Sequence, residues 1–330
     1  MRDVASLAGV GIATVSRVVN DKPGVAAAVA ERVKSAAAQL GYHHDLTASS
    51  LRRADRRTDS IGVIVGDVAN PFSAAILRAV EDVATRHDSL VLIGSAEQDA
   101  IREKRLIRSL TARRVDGLIV VSDHISEELV DARQRGVAVV SVDRHIEGLT
   151  GVDSVTTDNR RGMREAVHHL YDGGHRRIAY LGDLPEIWTA QERFAGFVEG
   201  FAAIGCQLDP RLVRHNLHSE EATHAAVREL MAADSPPTAI ISAQNLITIS
   251  IRRELRALGR DSIIAHIGFD DFPLADLLGV SVIAPNPSDI GRTAADRLFA
   301  RIDNSTEPER HVVLPTRYIP RGSGEIRRRP

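Results

Sequence analysis

Downstream of residue 60, short runs of apolar residues alternate with longer stretches in which apolar residues recur every three or four positions. The apolar runs occupy residues 61–65, 90–93, 117–121, 137–142, 177–181, 239–242 and 263–268. The stretches between and after them predict helices near residues 73–88, 99–114, 126–135, 160–172, 189–204, 219–233, 245–258 and 288–302. Apolar strands that alternate with helices are typical of a parallel sheet covered on both faces. The pattern therefore predicts an α/β fold built from doubly wound parallel sheets.

This alternating segment, residues 61–330, is long enough for two such sheets and divides into blocks at about 61–157 and 158–283. A further helix and a strand near residues 311–314 follow both blocks, so the chain is expected to cross back between two lobes. We predict a first lobe from about 61–157 and 286–312, and a second lobe from about 158–285 and 313–330. Ligands of doubly wound sheets bind beyond the carboxyl ends of the strands, so a ligand cleft is expected between the lobes.

The first 60 residues follow a different pattern, with three short helical segments near residues 3–8, 13–20 and 27–40. Pro23 and Gly24 separate the second segment from the third, because both residues interrupt helices. Residues 44–60 are polar and rich in arginine, and contain a stretch long enough for one or two helical turns. We predict an all-α helix-turn-helix domain at residues 1–43, followed by a hinge helix and linker at 44–60.

The composition is that of a globular protein, with 43% apolar and 26% charged residues. No apolar run approaches the roughly 20 residues that a membrane-spanning helix needs, so no membrane association is expected. The single cysteine, Cys206, has no internal partner for a disulfide, which favours a reducing cytoplasm. The net charge of −2 is uneven, because residues 1–57 carry nine basic and five acidic residues. A basic head suits a polyanionic partner, although a chance excess of surface charge gives the same numbers.

The second predicted helix, Ile12-Ala13-Thr14-Val15-Ser16-Arg17-Val18-Val19-Asn20, separates its apolar side chains from its polar ones. Val15, Val18 and Val19 are expected to pack inward, so that the exposed face presents hydroxyl, guanidinium and amide groups. Such groups form hydrogen bonds with base edges and phosphates in the major groove of DNA. The pattern favours a recognition helix, but an ordinary amphipathic helix of a three-helix bundle has the same pattern.

Longer motifs occur in both parts of the chain. The head carries Asp3-Val4-Ala5, Ala8-Gly9-Val10, Ala13-Thr14-Val15-Ser16-Arg17-Val18, Asn20 and Gly41-Tyr42. The remainder carries Ile61-Gly62-Val63-Ile64, Asn70-Pro71-Phe72, Val115-Asp116-Gly117, Val142-Asp143-Arg144, Asp158-Asn159, Gly174-His175-Arg176-Arg177-Ile178, Glu192-Arg193, Gly196-Phe197, Gly268-Phe269-Asp270-Asp271 and Arg321-Gly322-Ser323. On these motifs, essentially the whole chain resembles the LacI/GalR family of bacterial transcription regulators.

The resemblance implies a homodimer that binds a pseudo-palindromic operator in double-stranded DNA, usually as a repressor. It also implies a sensor domain similar to periplasmic sugar-binding proteins, with a small effector related to sugars or nucleosides bound between its lobes. The end of the sequence carries no heptad repeat, so a dimer is expected and not a tetramer.

Specific DNA contacts are also implied by the resemblance. It assigns base reading to Ile12, Ala13 and Arg17, and phosphate or supporting contacts to Thr14, Ser16 and Asn20. In the hinge, Leu51 would insert into a minor-groove step and kink it, with Arg52 beside the phosphates. The alternative for Leu51 is a plain hydrophobic contact within a linker helix. The chain departs from the family at Gly11 and Ala26, where the usual capping serines are absent.

The effector contacts implied by the resemblance follow predicted strands or lie on the helix that begins near residue 189. They are Asn70, Phe72, Asp143, Arg144, Trp188, Arg193, Asn245, Phe269 and Asp270. Carboxylates, amides and guanidinium groups bind the hydroxyl groups of a sugar, and an aromatic ring packs against its apolar face. Several of these residues have alternative roles: Phe72 and Phe269 suit a protein core, Asp143 and Arg144 suit a local ion pair, and Trp188 suits packing under a loop.

No sequence motif indicates catalysis, a metal site or a cofactor. The adjacent histidines His43-His44 and His168-His169 lack the spacing of zinc ligands on a helix, and no phosphate-binding loop or nucleophile elbow occurs. The predicted function is a sequence-specific transcription regulator, usually a repressor, that is controlled by a carbohydrate-like effector. The alternatives are a solute-binding protein without a regulatory role and a sugar-acting enzyme with a regulatory head.

Overall fold

The computed structural model describes residues 1–19, 23–42, 57–304 and 306–328. The chain divides into two compact units, Met1–Thr58 and Asp59–Pro330. The first unit, the head, contains helices α1 (Arg2–Ala8), α2 (Ile12–Val19) and α3 (Ala27–Gln39). Helix α1 ends at Gly9, whose left-handed backbone (φ 63°) lets its N–H reach carbonyl groups of the last turn.

A small apolar core holds the three helices of the head together. Val4, Val15 and Val33, one from each helix, are at most 1% exposed. Val18 is also buried and Val19 packs against the same core, as the amphipathic pattern of α2 predicts. Helix α3 begins after Ala26 without a side-chain hydrogen bond, as expected from the missing serine.

The second unit, the sensor, contains two lobes, and each is built on a six-stranded sheet. The first sheet contains β1 (Ser60–Val65), β2 (Leu90–Ser95), β3 (Gly117–Val120), β4 (Ala138–Val142), β5 (Asp153–Thr157) and β11 (His311–Leu314). The helices of this lobe are α4 (Pro71–Arg86), α5 (Ala100–Ala112), α6 (Glu127–Gln134) and α11 (Pro287–Ile302). The strand order is β11-β5-β4-β3-β1-β2, and the strands are parallel.

The second sheet contains β6 (Ile178–Leu181), β7 (Val213–Arg214), β8 (Ala239–Ser242), β9 (Ala265–Phe269), β10 (Ser281–Ala284) and β12 (Arg317–Ile319). The helices of this lobe are α7 (Asn159–Asp172), α8 (Trp188–Ala203), α9 (Glu220–Ala232) and α10 (Asn245–Ala257). The strand order, β12-β10-β9-β8-β6-β7, repeats that of the first sheet, but β12 runs antiparallel to β10. The two lobes are therefore two versions of one topology.

This architecture confirms the predicted fold class, with helices covering two doubly wound sheets. The predicted lobe boundary between residues 312 and 313 is wrong, because it falls inside β11. That whole strand pairs with β5, so the chain crosses to the second lobe between Leu314 and Arg317. None of the helices in the described ranges combines the length and the apolar character that a membrane span requires.

Strand β5 is not predicted by the apolar pattern, because only Val155 among its five residues is apolar. Its first residue, Asp153, is 1% exposed. Burial alone would raise the pKa of this carboxyl, but hydrogen bonds from Arg301 and Arg297 of α11 lower the pKa to about 2. The Asp153 Oδ1 atom accepts from Arg301 Nη2 at 2.8 Å, and Oδ2 accepts from Arg297 Nε at 3.1 Å. A buried charge with these partners is tolerated in the sheet.

Two glycines allow pairs of helices to approach closely. A Cβ atom at Gly291 of α11 would lie 2.5 Å from the backbone oxygen of Ile76 in α4. In the other lobe, a Cβ atom at Gly196 of α8 would lie 2.5 Å from the backbone oxygen of Arg160 in α7. A Cβ atom at either position would clash with the backbone of the neighbouring helix, so the helices of each pair could not approach this closely with any other residue there.

Candidate ligand cleft and DNA-binding helix

A cavity of about 430 Å³ lies between the two lobes and is called the cleft below. The first lobe lines it with residues that follow β1, β2, β3 and β4, and the second with residues that follow β6, β8 and β9. The carboxyl ends of parallel strands meet at one edge of a sheet, which explains why both lobes direct these loops to one place. Among the predicted effector contacts, the residues that line the cleft are Asn70, Phe72, Asp143, Arg144, Arg193 and Asp270.

Arg193 of α8 lies at the centre of a buried hydrogen-bond network and is itself 5% exposed. Its Nη1 and Nη2 atoms donate to the two carboxylate oxygens of Asp270 at 3.1 and 3.3 Å. Its Nε atom donates to Asn159 Oδ1 at 2.8 Å, and Nη1 also donates to the backbone oxygen of Ala243 at 2.6 Å. The guanidinium carbon lies 4.0 Å from the centroid of the Phe269 ring. These hydrogen bonds along the edges of the planar guanidinium, together with the ring against one of its faces, fix the orientation of Arg193 towards the cleft.

One aspartate from each lobe ends a strand at the cleft in the same backbone conformation. Asp143 follows β4 with φ 66°, and Asp270 follows β9 with φ 69°. The N–H group of each donates to the next strand, to Val155 O and Ile283 O respectively, both at 2.9 Å. Aspartate tolerates this left-handed region better than most residues. The repeated geometry therefore presents two carboxyl groups to the cleft, one from each lobe.

The cleft environment raises the pKa of both carboxyl groups. For Asp270, burial is the main cause and outweighs the positive charge of Arg193, so that its pKa is about 6. Burial also raises the pKa of Asp143, against the charges of Arg193 and Arg144. The Asp143 Oδ1 atom is buried and has no hydrogen-bond partner among the described residues. This oxygen is therefore free to accept a hydrogen bond from a ligand.

Arg144 does not pair with its neighbour Asp143. Its Nη2 atom donates to Gln98 Oε1 at 2.8 Å, and its Nη1 atom donates to Asp123 Oδ2 at 3.3 Å. Gln98 follows β2 and Asp123 follows β3, so residues at the ends of two other strands of the sheet hold this guanidinium in place. An ion pair between Asp143 and Arg144 is the alternative that the sequence left open. In the structure Arg144 instead contacts residues that are more distant in the sequence.

Two sets of hydrogen bonds join the lobes across the cleft. The side-chain amides of Asn70 and Asn245 exchange hydrogen bonds, at 2.9 Å from Asn245 Nδ2 and 3.3 Å from Asn70 Nδ2. Asp123 Oδ2 also accepts from the backbone N–H of Trp188 at 3.1 Å, where α8 begins. A carboxylate at a helix N-terminus is favoured by the helix dipole. These contacts hold the lobes in the arrangement observed.

Three of the predicted effector contacts lie elsewhere. Phe269 is fully buried and lies beneath the guanidinium of Arg193, so it supports that residue and does not line the cleft. Asn245 is also fully buried, and its amide is engaged by Asn70. Trp188 lines a separate pocket, because it lies on a different face of α8 from Arg193. The interpretation of Phe269 as a core residue is the one that fits its burial.

Several polar residues around the cleft are missed by the sequence analysis. Gln98, Asp123 and Asp183 each follow a strand, as Asp143 does, so a search for polar residues after the predicted strands would also have found them. Asn159 belongs to a quoted motif, but nothing in the sequence indicates that it accepts a hydrogen bond from Arg193. That contact depends on how α7 packs against α8.

In the head, α2 presents the predicted DNA-reading residues on its surface. Ile12 is 48% exposed, Ala13 and Arg17 are exposed, and Thr14 and Ser16 are half-buried. An exposed isoleucine beside polar groups suits apolar contact with thymine methyl groups. The predicted contacts Asn20, Leu51 and Arg52 lie outside the described residues.

Lowering the pH from about 7 to about 4 should increase the free energy of unfolding of the wild-type sensor relative to that of Asp270→Asn. In the folded chain the pKa of Asp270 is about 6, above the value of about 3.9 for an unfolded chain. The folded chain therefore binds a proton first as the pH falls, which stabilises it. The difference in the free energy of unfolding between the wild type and Asp270→Asn should change by up to about 3 kcal/mol between about pH 7 and about pH 4. Above about pH 7 this difference should stay constant. Urea unfolding monitored by Trp188 fluorescence measures this difference. If the free energies of unfolding of the two proteins depend on pH in the same way, the pKa of Asp270 is not raised in the folded chain.

Two family models match the chain. Residues 1–45 match the model of bacterial regulatory proteins of the lacI family. Residues 58–321 match the model of periplasmic binding proteins and the sugar binding domain of the LacI family. The chain belongs to the LacI family, and it is a DNA-binding transcription regulator with a helix-turn-helix head and a periplasmic-binding-protein-like sensor.

Individual relatives match along nearly the whole length. The chain is 33% identical to the HTH-type transcriptional regulator CelR of Thermobifida fusca, over 97% of each protein. It is 32% identical to the HTH-type transcriptional regulator PtxS of Pseudomonas aeruginosa, over 98% of this chain and 95% of PtxS. The solved structure of a CelR–cellobiose complex superposes with a TM-score of 0.73 at 30% identity and covers 98% of both chains. These relatives are transcription regulators.

Proposed function

We propose that this chain is a cytoplasmic repressor whose affinity for operator DNA is controlled by a small sugar bound in the cleft. The observation that carries the proposal is the combination, in one chain, of an exposed recognition helix with a cleft that contains the Arg193–Asp270 pair. The related CelR has been solved with cellobiose, which favours a carbohydrate as the effector here. We assign no catalytic activity to the chain, in line with its relatives.

The polar groups of the cleft suit the hydroxyl groups of a sugar. Asp143 offers an unpaired acceptor, while the Arg193–Asp270 pair combines donors and acceptors in a fixed geometry. The partly exposed ring of Phe72 offers an apolar surface at the same cavity. A few oriented polar groups and an aromatic ring in an enclosed cleft are the usual features of a small-molecule site.

Control of DNA binding requires that the effector distinguish between two arrangements of the lobes. A ligand that contacts Asp143 in one lobe and Arg193 in the other stabilises the arrangement in which both are close. The Asn70–Asn245 contact stabilises one arrangement without ligand. The hinge segment leads directly into β1 of the first lobe, so movement of the lobes changes the spacing of the two heads of a dimer. Couplings of this kind are typically about 1–3 kcal/mol.

A homodimer accounts for apolar side chains that are exposed on both lobes. Leu90 and Ile93, on the edge strand β2, are 63% and 54% exposed. In the second lobe, Leu274 and Leu277 are 61% and 80% exposed. Large apolar side chains exposed to this extent suit an interface, and a two-fold dimer buries the same residues of both protomers.

Replacing Leu277 with aspartate is expected to weaken the dimer by at least about tenfold, because a charge would be buried at the interface. Sedimentation velocity over a range of protein concentrations measures the dissociation constant. The matched control is Val198→Asp on α8, a residue that is 39% exposed and lies outside the proposed surface. Equal dimer affinity of both variants and the wild type would rule out this surface.

The proposal is tested by fluorescence anisotropy with a labelled duplex from upstream of the gene, compared with a scrambled duplex at physiological salt. Specific binding should exceed binding to the scrambled duplex by at least about 10³-fold. Addition of cellobiose, glucose or ribose should then change operator affinity for at least one of these sugars. A sugar that binds in the cleft by calorimetry, yet leaves operator affinity unchanged, would refute control by the effector.

A further inference from the structure

A second pocket, of about 330 Å³, lies where the chain passes between the lobes. Strands β5 and β11 of the first lobe form one wall, and Trp188 and Glu192 of α8 in the second lobe form another. It shares no lining residue with the cleft. Trp188 and Arg193 are five residues apart, which separates them by about 140° around the helix. Helix α8 therefore lies between the two pockets and contributes a different face to each.

The second pocket combines aromatic rings with hydroxyl groups. The imidazoles of His145 and His311 pack edge to face, with ring centroids 4.8 Å apart. His311 Nδ1 lies 2.9 Å from Ser154 Oγ, within hydrogen-bond distance. Thr157, which is 3% exposed, has a hydroxyl group without a hydrogen-bond partner among the described residues. The indole of Trp188 is only half-buried and so leaves part of its surface for a ligand. An aromatic surface beside hydroxyl groups is suited to a sugar ring.

The charged groups that line the second pocket are engaged within the protein, which favours an uncharged ligand. Asp158 Oδ1 accepts a hydrogen bond from the backbone N–H of Arg161 at 3.1 Å, near the start of α7. The one arginine in its lining, Arg160, forms a two-pronged ion pair with Glu192 at 2.6 and 2.7 Å, and also contacts Glu199 at 2.8 Å. Its charge is thereby compensated. Burial and the neighbouring His311 lower the pKa of His145, so this imidazole is neutral near pH 7. The described residues of this lining therefore offer no unpaired positive charge to an anionic ligand.

We propose that the second pocket binds a neutral sugar at a site separate from the cleft, with Trp188 as its stacking surface. The bound sugar contacts both lobes, because β5 and β11 belong to the first lobe and α8 to the second. A ligand that contacts both lobes is coupled to their movement. Sugar bound in the second pocket therefore changes the affinity of the cleft for the effector. Strand β11 lies at the opposite edge of the first sheet from β2, which carries the first-lobe residues of the proposed dimer surface.

The full-length chain offers a direct test, because Trp188 is its only tryptophan. Cellobiose, glucose, galactose and ribose are titrated to about 50 mM while tryptophan fluorescence and calorimetric heats are recorded. Val313→Phe fills the mouth of the second pocket from a position that is 57% exposed, so the fold tolerates the change. Ile263→Phe is the matched control, since Ile263 is 55% exposed and lines neither pocket. Asp270→Asn disables the cleft.

For at least one sugar, we expect a fluorescence change in the wild type that survives in Asp270→Asn and Ile263→Phe. In Val313→Phe the affinity for that sugar should fall by at least about tenfold. The proposal is overturned if the fluorescence change is lost in Asp270→Asn and kept in Val313→Phe, since Trp188 would then report on the cleft. It is also overturned if no sugar gives a signal that depends on Val313. The readout is sugar binding alone, so the result is independent of whether the chain represses transcription.

Discussion

Replacing Arg193 with alanine is expected to lower the free energy of unfolding of the sensor by about 3–5 kcal/mol at neutral pH. The substitution leaves Asp270 buried without its cation, and it removes the donors to Asn159 Oδ1 and the Ala243 carbonyl. It also leaves one face of the Phe269 ring uncovered. Urea unfolding, followed by the fluorescence of Trp188, measures the loss. The variant should retain no effector response, because the group that fixes the cleft geometry is gone.

The matched control is Arg160→Ala, on the neighbouring helix α7. Arg160 also binds two carboxylates, but its side chain is 45% exposed, so water replaces the lost contacts. Its removal should change the free energy of unfolding by less than about 1 kcal/mol. Similar losses in both variants would mean that the burial of Arg193 contributes little.

Arg193→Lys separates folding from effector recognition. A lysine keeps the positive charge beside Asp270, but its single ammonium cannot replace the planar fork that contacts three partners. We expect this variant to be more stable than Arg193→Ala and still to bind the operator as the wild type does. The sugar that changes the operator affinity of the wild type should act on this variant only at concentrations at least about tenfold higher. A response at the sugar concentrations that act on the wild type would show that effector binding needs only a positive charge at the position of Arg193, and not the geometry of the guanidinium.

Replacing Arg17 with alanine is expected to weaken operator binding by about 1–3 kcal/mol, or roughly 5- to 150-fold. Arg17 is exposed on α2, beside a buried face that is anchored by Val15 and Val18, so its loss leaves the head folded. Binding to a scrambled duplex should change only a few-fold, because phosphate contacts made by other basic residues remain. Anisotropy titrations with both duplexes at one salt concentration give the two affinities.

Arg32→Ala is the control for this experiment. Arg32 is an exposed arginine of the same head, but it lies on α3 and not on the proposed recognition helix. It should weaken specific and non-specific binding by the same small factor, since it contributes only general positive charge. Equal loss of specificity in both variants would contradict the assignment of α2 as the reading helix.

Strand ends were the most informative local feature for the cleft. The apolar runs ahead of Asp143 and Asp270 predict parallel strands, and residues that follow such strands meet at one edge. The same rule extends to Gln98, Asp123 and Asp183, which the family resemblance did not select. Motif matching transfers known positions, whereas the strand-end rule depends only on the alternation of strands and helices.

Helical geometry, applied to the sequence, would have placed Trp188 correctly as well. It begins α8, and the 100° step per residue separates it from Arg193 around the helix axis. Proximity along the chain is therefore a poor guide to a shared pocket. Strand β5 is the opposite case, because no local pattern marks Asp153 as buried until Arg297 and Arg301 of a distant helix are in place.

The sequence by itself determined the two-part organisation, the alternation of strands and helices apart from the strands β5, β7, β10 and β12, the family, and the residue types at the ends of the predicted strands. These properties follow from periodicity and motifs within short windows of the chain. Only the tertiary structure decided which partners these residues contact: Asn70 with Asn245 across the lobes, Arg144 with Gln98, and Arg193 with Asn159. The physical reason is that such contacts join residues distant in sequence, and their geometry depends on how sheets and helices pack. Burial, and with it the raised pKa of Asp270, follows from the same packing.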